Sequence, residues 1–256
     1  MVESFIKNLA IQAGEITLDF FKKAEVQYTK DHSLDVVTQA DIASNKFIVD
    51  EIKAKFPEDG IISEEQGEYN IKAEYLWIVD PLDGTLNFSK GIPTYCILIA
   101  RAKNEKIEAA VIYDPINKDT YFSERGKGAF LNDKKIECSK IANIEGSTGC
   151  INGTTNIRSL EILNKMVSSF PEKKIYISVP VCLGMAGAYI ASGKRDWGMF
   201  ITGSVWDHAA PSLILGESGC VVTNIEGNPW TFKDKTMLAA NKELHKKIST
   251  LINLRK

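Results

Sequence analysis

An α+β first half followed by an α/β second half is the fold class this chain predicts, and three observations predict it. Apolar residues recur at helical spacing near the start of the chain. The middle carries short apolar runs that stop at Pro, Asn, Asp and Gly, the pattern of strands joined by turns. From residue 156 onward, helical and strand-like stretches alternate, as in units that place helices over a sheet. No internal repeat or low-complexity linker interrupts these patterns.

Phe5, Leu9, Ala13, Ile16 and Phe20 predict a first amphipathic helix. Thr38 reads as the N-cap of a second, with Asp41 three residues later completing a capping box; Phe47, Ile48, Ile52 and Phe56 carry that helix to Pro57. Residues 76–79 form a short buried strand that should end at Asp80, because Pro81 has no N–H to give a central strand. Residues 95–101 and 106–113 pair around Asn104 and Glu105, Asp114-Pro115 breaks them, and 120–123 adds another short strand. Gly126, Gly128, Asn132 and Asp133 mark turns. Then follow a helix over 156–170, a strand over 175–179, a small-residue helix over 184–192, a strand over 197–201, a helix after Asp207, a strand over 220–223 and a final helix over 242–254. Apolar periodicity lapses over 137–146, so two domains are expected: an α+β domain, 1–140, and an α/β domain, 141–256.

Composition sets the class. The 256 residues are 44% hydrophobic and 25% charged, ordinary for a globular protein with a sizeable core. The formal net charge of −2 offers no basic field to nucleic acid or to an anionic membrane. Cys96, Cys138, Cys150, Cys182 and Cys220 are odd in number and widely spaced, without a C-x-x-C, which favours reduced, packed thiols in a cytoplasmic protein. No secretory signal is visible and no apolar run reaches transmembrane length.

The chemistry concentrates in Trp77-Ile78-Val79-Asp80-Pro81-Leu82-Asp83-Gly84-Thr85-Leu86-Asn87-Phe88. Asp80 and Asp83 lie at a strand end, Gly84 permits close backbone approach, and Thr85 adds a hydroxyl beside free amides. Acids next to exposed amides make sense when a divalent cation sits between them and a phosphate. Ile61-Ile62-Ser63-Glu64-Glu65 is a second apolar run ending in acids, whose mutual repulsion a cation relieves. Hard oxygen donors select Mg²⁺-like ions. A third acid, Asp207, stands at the start of a predicted helix, where capping and the helix dipole also favour a carboxylate. His208, adjacent in sequence and so pointing elsewhere, reads as a packing or surface histidine.

These segments resemble the inositol monophosphatase family, of the Mg²⁺-dependent, lithium-sensitive phosphatase superfamily. The family is marked by W-I-x-D-P-[LI]-D-G-T-x-N-F, an upstream E-E and a downstream W-D, matched here by residues 77–88, Glu64-Glu65 and Trp206-Asp207. Asp35-Val36-Val37-Thr38-Gln39-Ala40-Asp41 resembles its D-L-V-T-x-x-D, and Gly126-Lys127-Gly128-Ala129-Phe130-Leu131-Asn132 its G-x-G-A-F-x-N. The resemblance implies a layered α-β-α-β-α sugar-phosphatase fold and two or three Mg²⁺ ions per site. It places Glu64, the Leu82 carbonyl and Asp80 on one ion, and Asp80, Asp83 and Asp207 on another. Thr85, oriented by Asp41, is expected to deprotonate and aim a water, with Glu65 supporting its position. Asp83, Gly84 and Thr85 are expected to meet the phosphate, the last two through their amides. No covalent intermediate, inhibition by lithium, a homodimer and a small phosphorylated metabolite as substrate are further implications.

The leaving alcohol is read from two places. Gly184, Met185 and Ala186 align with the family's G-x-A, which borders the inositol ring. Phe200 aligns with a glutamate that bonds ring hydroxyls in many members, so an aromatic there either borders the pocket and favours a planar or partly apolar group, with loop 202–204 able to supply acceptors for a polyol, or simply points into the core. Inositol 1-phosphate is the leading substrate; fructose 1,6-bisphosphate, NADP, phosphoadenosine phosphate and histidinol phosphate are alternatives, as is a non-catalytic binding role on the same fold.

Overall fold

Helix α1 (Val2–Phe20) buries Ile6, Leu9, Ala10, Ala13 and Thr17, a stripe that shares Leu9 and Ala13 with the predicted one and leaves Phe5, Ile16 and Phe20 at its margins. The computed structural model describes residues 2–23, 26–30, 36–152, 157–169 and 175–253. Asp35 of the second motif and the outer ends of two predicted helices, Asn156, Phe170 and Leu254, lie outside the described residues.

A hairpin of β1 (Val26–Thr29) and β2 (Val36–Thr38) leads into α2 (Gln39–Lys55), which Thr38 and Asp41 start as the expected capping box. There follow β3 (Gly60–Ser63), β4 (Gly67–Tyr69), β5 (Tyr75–Asp83), the short helix α3 (Thr85–Ser89), and β6 (Cys96–Lys103), β7 (Lys106–Asp114), β8 (Asp119–Glu124), β9 (Ala129–Leu131) and β10 (Lys134–Ile136). These strands form one eight-stranded mixed sheet, ordered β10-β9-β8-β7-β6-β5-β3-β4. The chain then makes β11 (Thr148–Asn152), α4 (Ile157–Ser168), β12 (Tyr176–Ser178), α5 (Leu183–Ala191), β13 (Trp197–Phe200), α6 (Val205–Glu217), β14 (Val221–Thr223), β15 (Met237–Ala240) and α7 (Lys242–Asn253). Its second sheet is ordered β12-β11-β13-β15-β14.

Strand alternation builds five layers. Trp77 and Val79 of β5, with Ile97 and Ile99 of β6, pack under α1 and α2. Ile78, Cys96, Leu98 and Ala100 face the other way, onto α5 and α6. Phe200, Met237 and Ala239 close over that helix pair from the second sheet. Trp197, Met199, Leu238 and Ala240 point outward to α4 and α7. The order is therefore helix pair, sheet, helix pair, sheet, helix pair, the layered α-β-α-β-α arrangement expected. Small residues make the central layer thin: a Cβ on Gly187 of α5 would stand 3.0 Å from Pro211 of α6. No helix among the described residues is long and apolar enough to cross a membrane.

One expectation is corrected and one open alternative is resolved. β5 does not stop at Asp80 but runs to Asp83, because a bulge sits there: Asp80 pairs with Leu98 and Asp83 with Cys96, leaving Pro81 and Leu82 opposite the single residue Ile97. A bulge asks no ladder bond of Pro81, and the Leu82 N–H turns to Asp80 Oδ1 at 3.1 Å. Second, Phe200 packs in the core, the alternative the sequence left open. Its ring is fully buried, beside Gly198 and Ile190 and 6.4 Å from the His208 ring, because position 200 alternates inward with position 198.

His208 is a packing histidine, with its Nε2 3.3 Å from the Lys235 carbonyl oxygen and its ring 6.1 Å from Trp230. Burial lowers its pKa from the ordinary 6.5 to about 4. Between those values the unfolded chain binds a proton that the native chain refuses, so stability is complete above about pH 6.5 and is lost as pH falls through about 4. A gap of ~2.5 pH units corresponds to about 3 kcal/mol. Urea unfolding of wild type and His208→Gln at pH 7 and 4.5 checks this. The wild type should lose about 2–3 kcal/mol more on acidification, and equal losses would show that the ring is not held neutral.

Candidate active site

The bulge in β5 decides where the acids point. Asp80, Leu82 and Asp83 end the strand, and Gly84 then takes a left-handed φ of 94° with its Cα turned to the Thr94 carbonyl, 2.9 Å from where a Cβ would stand. That turn starts α3 at Thr85. Asn87 ties it down, its Nδ2 donating to the carbonyls of Thr94 and Pro180, both at 2.9 Å.

Carboxylate oxygens of Asp80, Asp83 and Asp207 all lie within 4.8 Å of one another, although Asp207 comes from α6 in the central helix layer, far away in sequence. Asp207 sits third in its helix, where one oxygen accepts the Ser204 N–H at 2.5 Å in a capping box. Asp83 is held by the Leu183 N–H on Oδ1 (3.2 Å) and the Gly184 N–H on Oδ2 (2.5 Å), the first amides of α5. Ser44 of α2 fixes the bulge by donating to the Pro81 carbonyl at 2.8 Å.

Glu64 and Glu65 follow β3, which runs parallel to β5, so the Glu64 carboxyl arrives beside Asp80 and the Glu65 carboxyl near Asp41. Both meet the Lys30 ammonium, which donates to each at 2.8 Å, and the Tyr28 hydroxyl donates to Glu65 at 3.4 Å. Thr85 Oγ1 lies 3.0 Å from Asp41 Oδ1 and 3.0 Å from the Leu82 carbonyl oxygen, so its one proton has a choice of acceptor. Asp41 Oδ2 accepts from Thr38 twice, from N at 2.9 Å and from Oγ1 at 2.5 Å. Capping and orientation of Thr85 therefore coexist in one carboxylate, using different oxygens.

Crowding shows in the protonation equilibria. Burial raises Asp80 well above the carboxylate range, helped by Glu64, Asp83 and Asp207. Burial, then Asp83, pushes Asp207 up to about 8. Burial raises Asp83 and Glu64 as well, against the amides of residues 183 and 184 and against Lys30 respectively. Asp41 stands at about 7, raised by burial and held back by its bonds to Thr38 and Thr85. Four acids whose ionised forms repel each other in a water-poor cleft are the donor set a hard divalent cation stabilises, so the residues fit Mg²⁺.

The alcohol-side expectations fare differently. The Gly184 amide is engaged by Asp83, and the Met185 and Ala186 side chains are buried between the sheets. The sequence reading missed Lys30, Asn87 and the two cysteines beside Asp83. A lone lysine and scattered cysteines carry no local pattern, and Asn87, though inside the quoted motif, reveals its role only through the Pro180 loop.

The model of the inositol monophosphatase family matches residues 1–255. The chain is 31% identical over 224 residues to the fructose-1,6-bisphosphatase/inositol-1-monophosphatase of Thermotoga maritima, covering 86% of this chain and 83% of that one. It is 30% identical over 248 residues to the histidinol-phosphatase of Chlorobaculum parvum, covering 95% and 93%. The crystal structure of the extragenic suppressor protein suhB from Bartonella henselae superimposes with a TM-score of 0.89 at 30% identity, covering 97% of both chains.

Proposed function

The chain belongs to the inositol monophosphatase family, a family of metal-dependent phosphatases, and on that premise we propose that it hydrolyses inositol 1-phosphate with Mg²⁺ by direct attack of water. The observation that carries this reading is the buried Asp80–Asp83–Asp207 cluster, adjoined by the Thr85–Asp41 pair. Asp80, Asp83, Asp207, Glu64 and the Leu82 carbonyl would hold the ions, which when bound neutralise phosphate charge, acidify water and stabilise the leaving alkoxide. Thr85 Oγ1 aims the attacking water and receives its proton while passing its own to Asp41. A carboxyl at about 7 suits that task, since a base working near neutral pH is best matched to it. The Gly84 and Thr85 amides bind phosphate oxygens. Glu65, held by Tyr28 and Lys30, supports the water side.

Inositol is favoured over planar alcohols because the one feature that argued against a polyol, the Phe200 ring, is buried in the core. Ring hydroxyls would find their acceptors in loop 202–204, which Asn152 anchors by donating to the Thr202 carbonyl at 3.0 Å. The same reading takes the chain as a cytoplasmic, lithium-sensitive homodimer.

Phosphate release from inositol 1-phosphate, fructose 1,6-bisphosphate, NADP, phosphoadenosine phosphate and histidinol phosphate tests the proposal, with Mg²⁺ and with excess EDTA. The expected result is Mg²⁺-dependent release with the highest kcat/KM on inositol 1-phosphate. Activity that survives EDTA would remove the metal site, and a preference for another phosphate would move the substrate while leaving the chemistry in place.

A further inference from the structure

Asp83 has a second set of neighbours that the phosphatase reading does not use. Cys96 opens β6 directly across from Asp83 in the ladder, and Cys182 is the N-cap of α5. Cys182 Sγ lies 3.2 Å from Asp83 Oδ2, Cys96 Sγ lies 3.6 Å from the same oxygen, and the two sulfurs are 3.7 Å apart. Both cysteines are buried and free.

Those three separations can be set against a coordination polyhedron. A tetrahedral Zn²⁺-type ion bound at about 2.3 Å to sulfur and about 2.0 Å to oxygen requires S···S edges of about 3.8 Å and S···O edges of about 3.5 Å. The triangle in this protein has edges of 3.7, 3.6 and 3.2 Å. The walls hold it in shape: a Cβ on Gly184 would stand 2.6 Å from Cys96 Sγ and 2.5 Å from Leu98, so the sulfur has little freedom to retreat. The Asp83 carbonyl oxygen, 3.4 Å from Cys182 Sγ, is at hand as a further donor.

We propose that Asp83, Cys96 and Cys182 form a site for a soft divalent cation such as Zn²⁺ or Cd²⁺, whose binding takes Asp83 out of the hard-cation cluster and stops the enzyme. Thiolates prefer such ions to Mg²⁺, whereas Asp80 and Asp207 offer only hard oxygen. Asp83 belongs to both donor sets, so a cation entering the acidic cleft reaches the sulfurs by crossing a single carboxylate. Binding exchanges two thiol protons, released to solvent, for one dication; no electrons move. The hydrogen bonds that the thiols donate to Asp83 in the metal-free protein give way to metal bonds at nearly the same separations.

Titration of the full chain with Cd²⁺ in saturating Mg²⁺ and without substrate, followed by thiolate-to-cadmium charge-transfer absorption, tests this. The expected result is a band that saturates at one equivalent with the intensity of two thiolate bonds, and phosphate release lost in parallel. Cys96→Ala and Cys182→Ala should each weaken Cd²⁺ binding by more than the roughly 100-fold that loss of an outer-shell partner can cost, and shift inhibition by the same factor. Cys138 adjoins Cys220 in the other thiol pair, so Cys138→Ala is the control and should change neither. Absence of the band in the wild type overturns the proposal, as does a band that Cys138→Ala removes, or inhibition of undiminished strength in a folded Cys182→Ala. If a variant does not fold, band intensity in the wild type still decides between two thiolates and fewer. Because absorption is read without substrate, this result stands apart from whether the protein is a phosphatase.

Discussion

Asp80→Asn should abolish phosphate release and at the same time stabilise the metal-free protein. The two effects run in opposite directions because one charge causes both. Asp80 is fully buried, and Glu64, Asp83 and Asp207 all disfavour its ionised form. The amide keeps the shape of the side chain and still accepts the Leu82 N–H through its oxygen. It removes an anionic donor from the position that both proposed ions share. Losing several kcal/mol of transition-state charge stabilisation lowers turnover by roughly 10³-fold or more. Without metal, however, the neutral amide relieves repulsion. A buried acid whose native pKa is raised leaves the folded chain holding more protons than the unfolded one, so stability is greatest below the ordinary carboxylate range and is lost as pH rises towards the native value, about 8 for Asp207. Asp80→Asn takes one such group away. Thermal unfolding in EDTA at pH 8 should therefore show a higher Tm for the variant. Near-wild-type turnover would take Asp80 out of the site, and a lower Tm would make it a structural acceptor instead. Asp83→Asn is a less clean test, since an amide nitrogen facing the Gly184 or Leu183 N–H would lose one backbone bond.

Phe200→Glu should leave little soluble protein. The position is 0% exposed, packed among apolar side chains between the second sheet and the central helix pair. Truncating a buried phenylalanine costs about 3–5 kcal/mol, and burying a carboxyl without a partner adds several more. The sum matches the whole stability of an ordinary domain, about 5–15 kcal/mol. Phe200→Leu, which keeps most of the volume, should lose about 1–2 kcal/mol in urea unfolding and leave the ratio of kcat/KM for inositol 1-phosphate and for a nucleotide phosphate unchanged. A soluble, cooperatively folded Phe200→Glu with an altered ratio would return the ring to the pocket.

Helices were legible where one face meets water, because exposure contrast writes the period into the residues; α1, α2, α4 and α7 follow from it, whereas α5, buried between the sheets, was read from its small residues. Strands buried on both faces have no such contrast. β15 is Met237-Leu238-Ala239-Ala240, residues that favour helix in isolation, and β11 is a glycine and a cysteine beside a single isoleucine, yet both lie inside the second sheet. The local acids were legible for another reason. Asp80, Leu82, Asp83, Gly84 and Thr85 are consecutive or nearly so, and their types alone state a preference for a cation and an anion.

What the residues determined by themselves was therefore the chemistry of the cluster and the resemblance that places Glu64, Glu65 and Asp207 with it. What only the tertiary structure decided was each partnership across the chain: Lys30 on Glu64, 34 residues away; Cys182 on Asp83, 99 residues away; Thr85 on Asp41, 44 residues away; and the inward turn of Phe200. A one-residue change in strand phase, such as the bulge at Pro81 or the alternation through β13, reverses which face a side chain meets. Strand phase is set by pairing with distant neighbours, so the residues nearest in sequence carry no record of it.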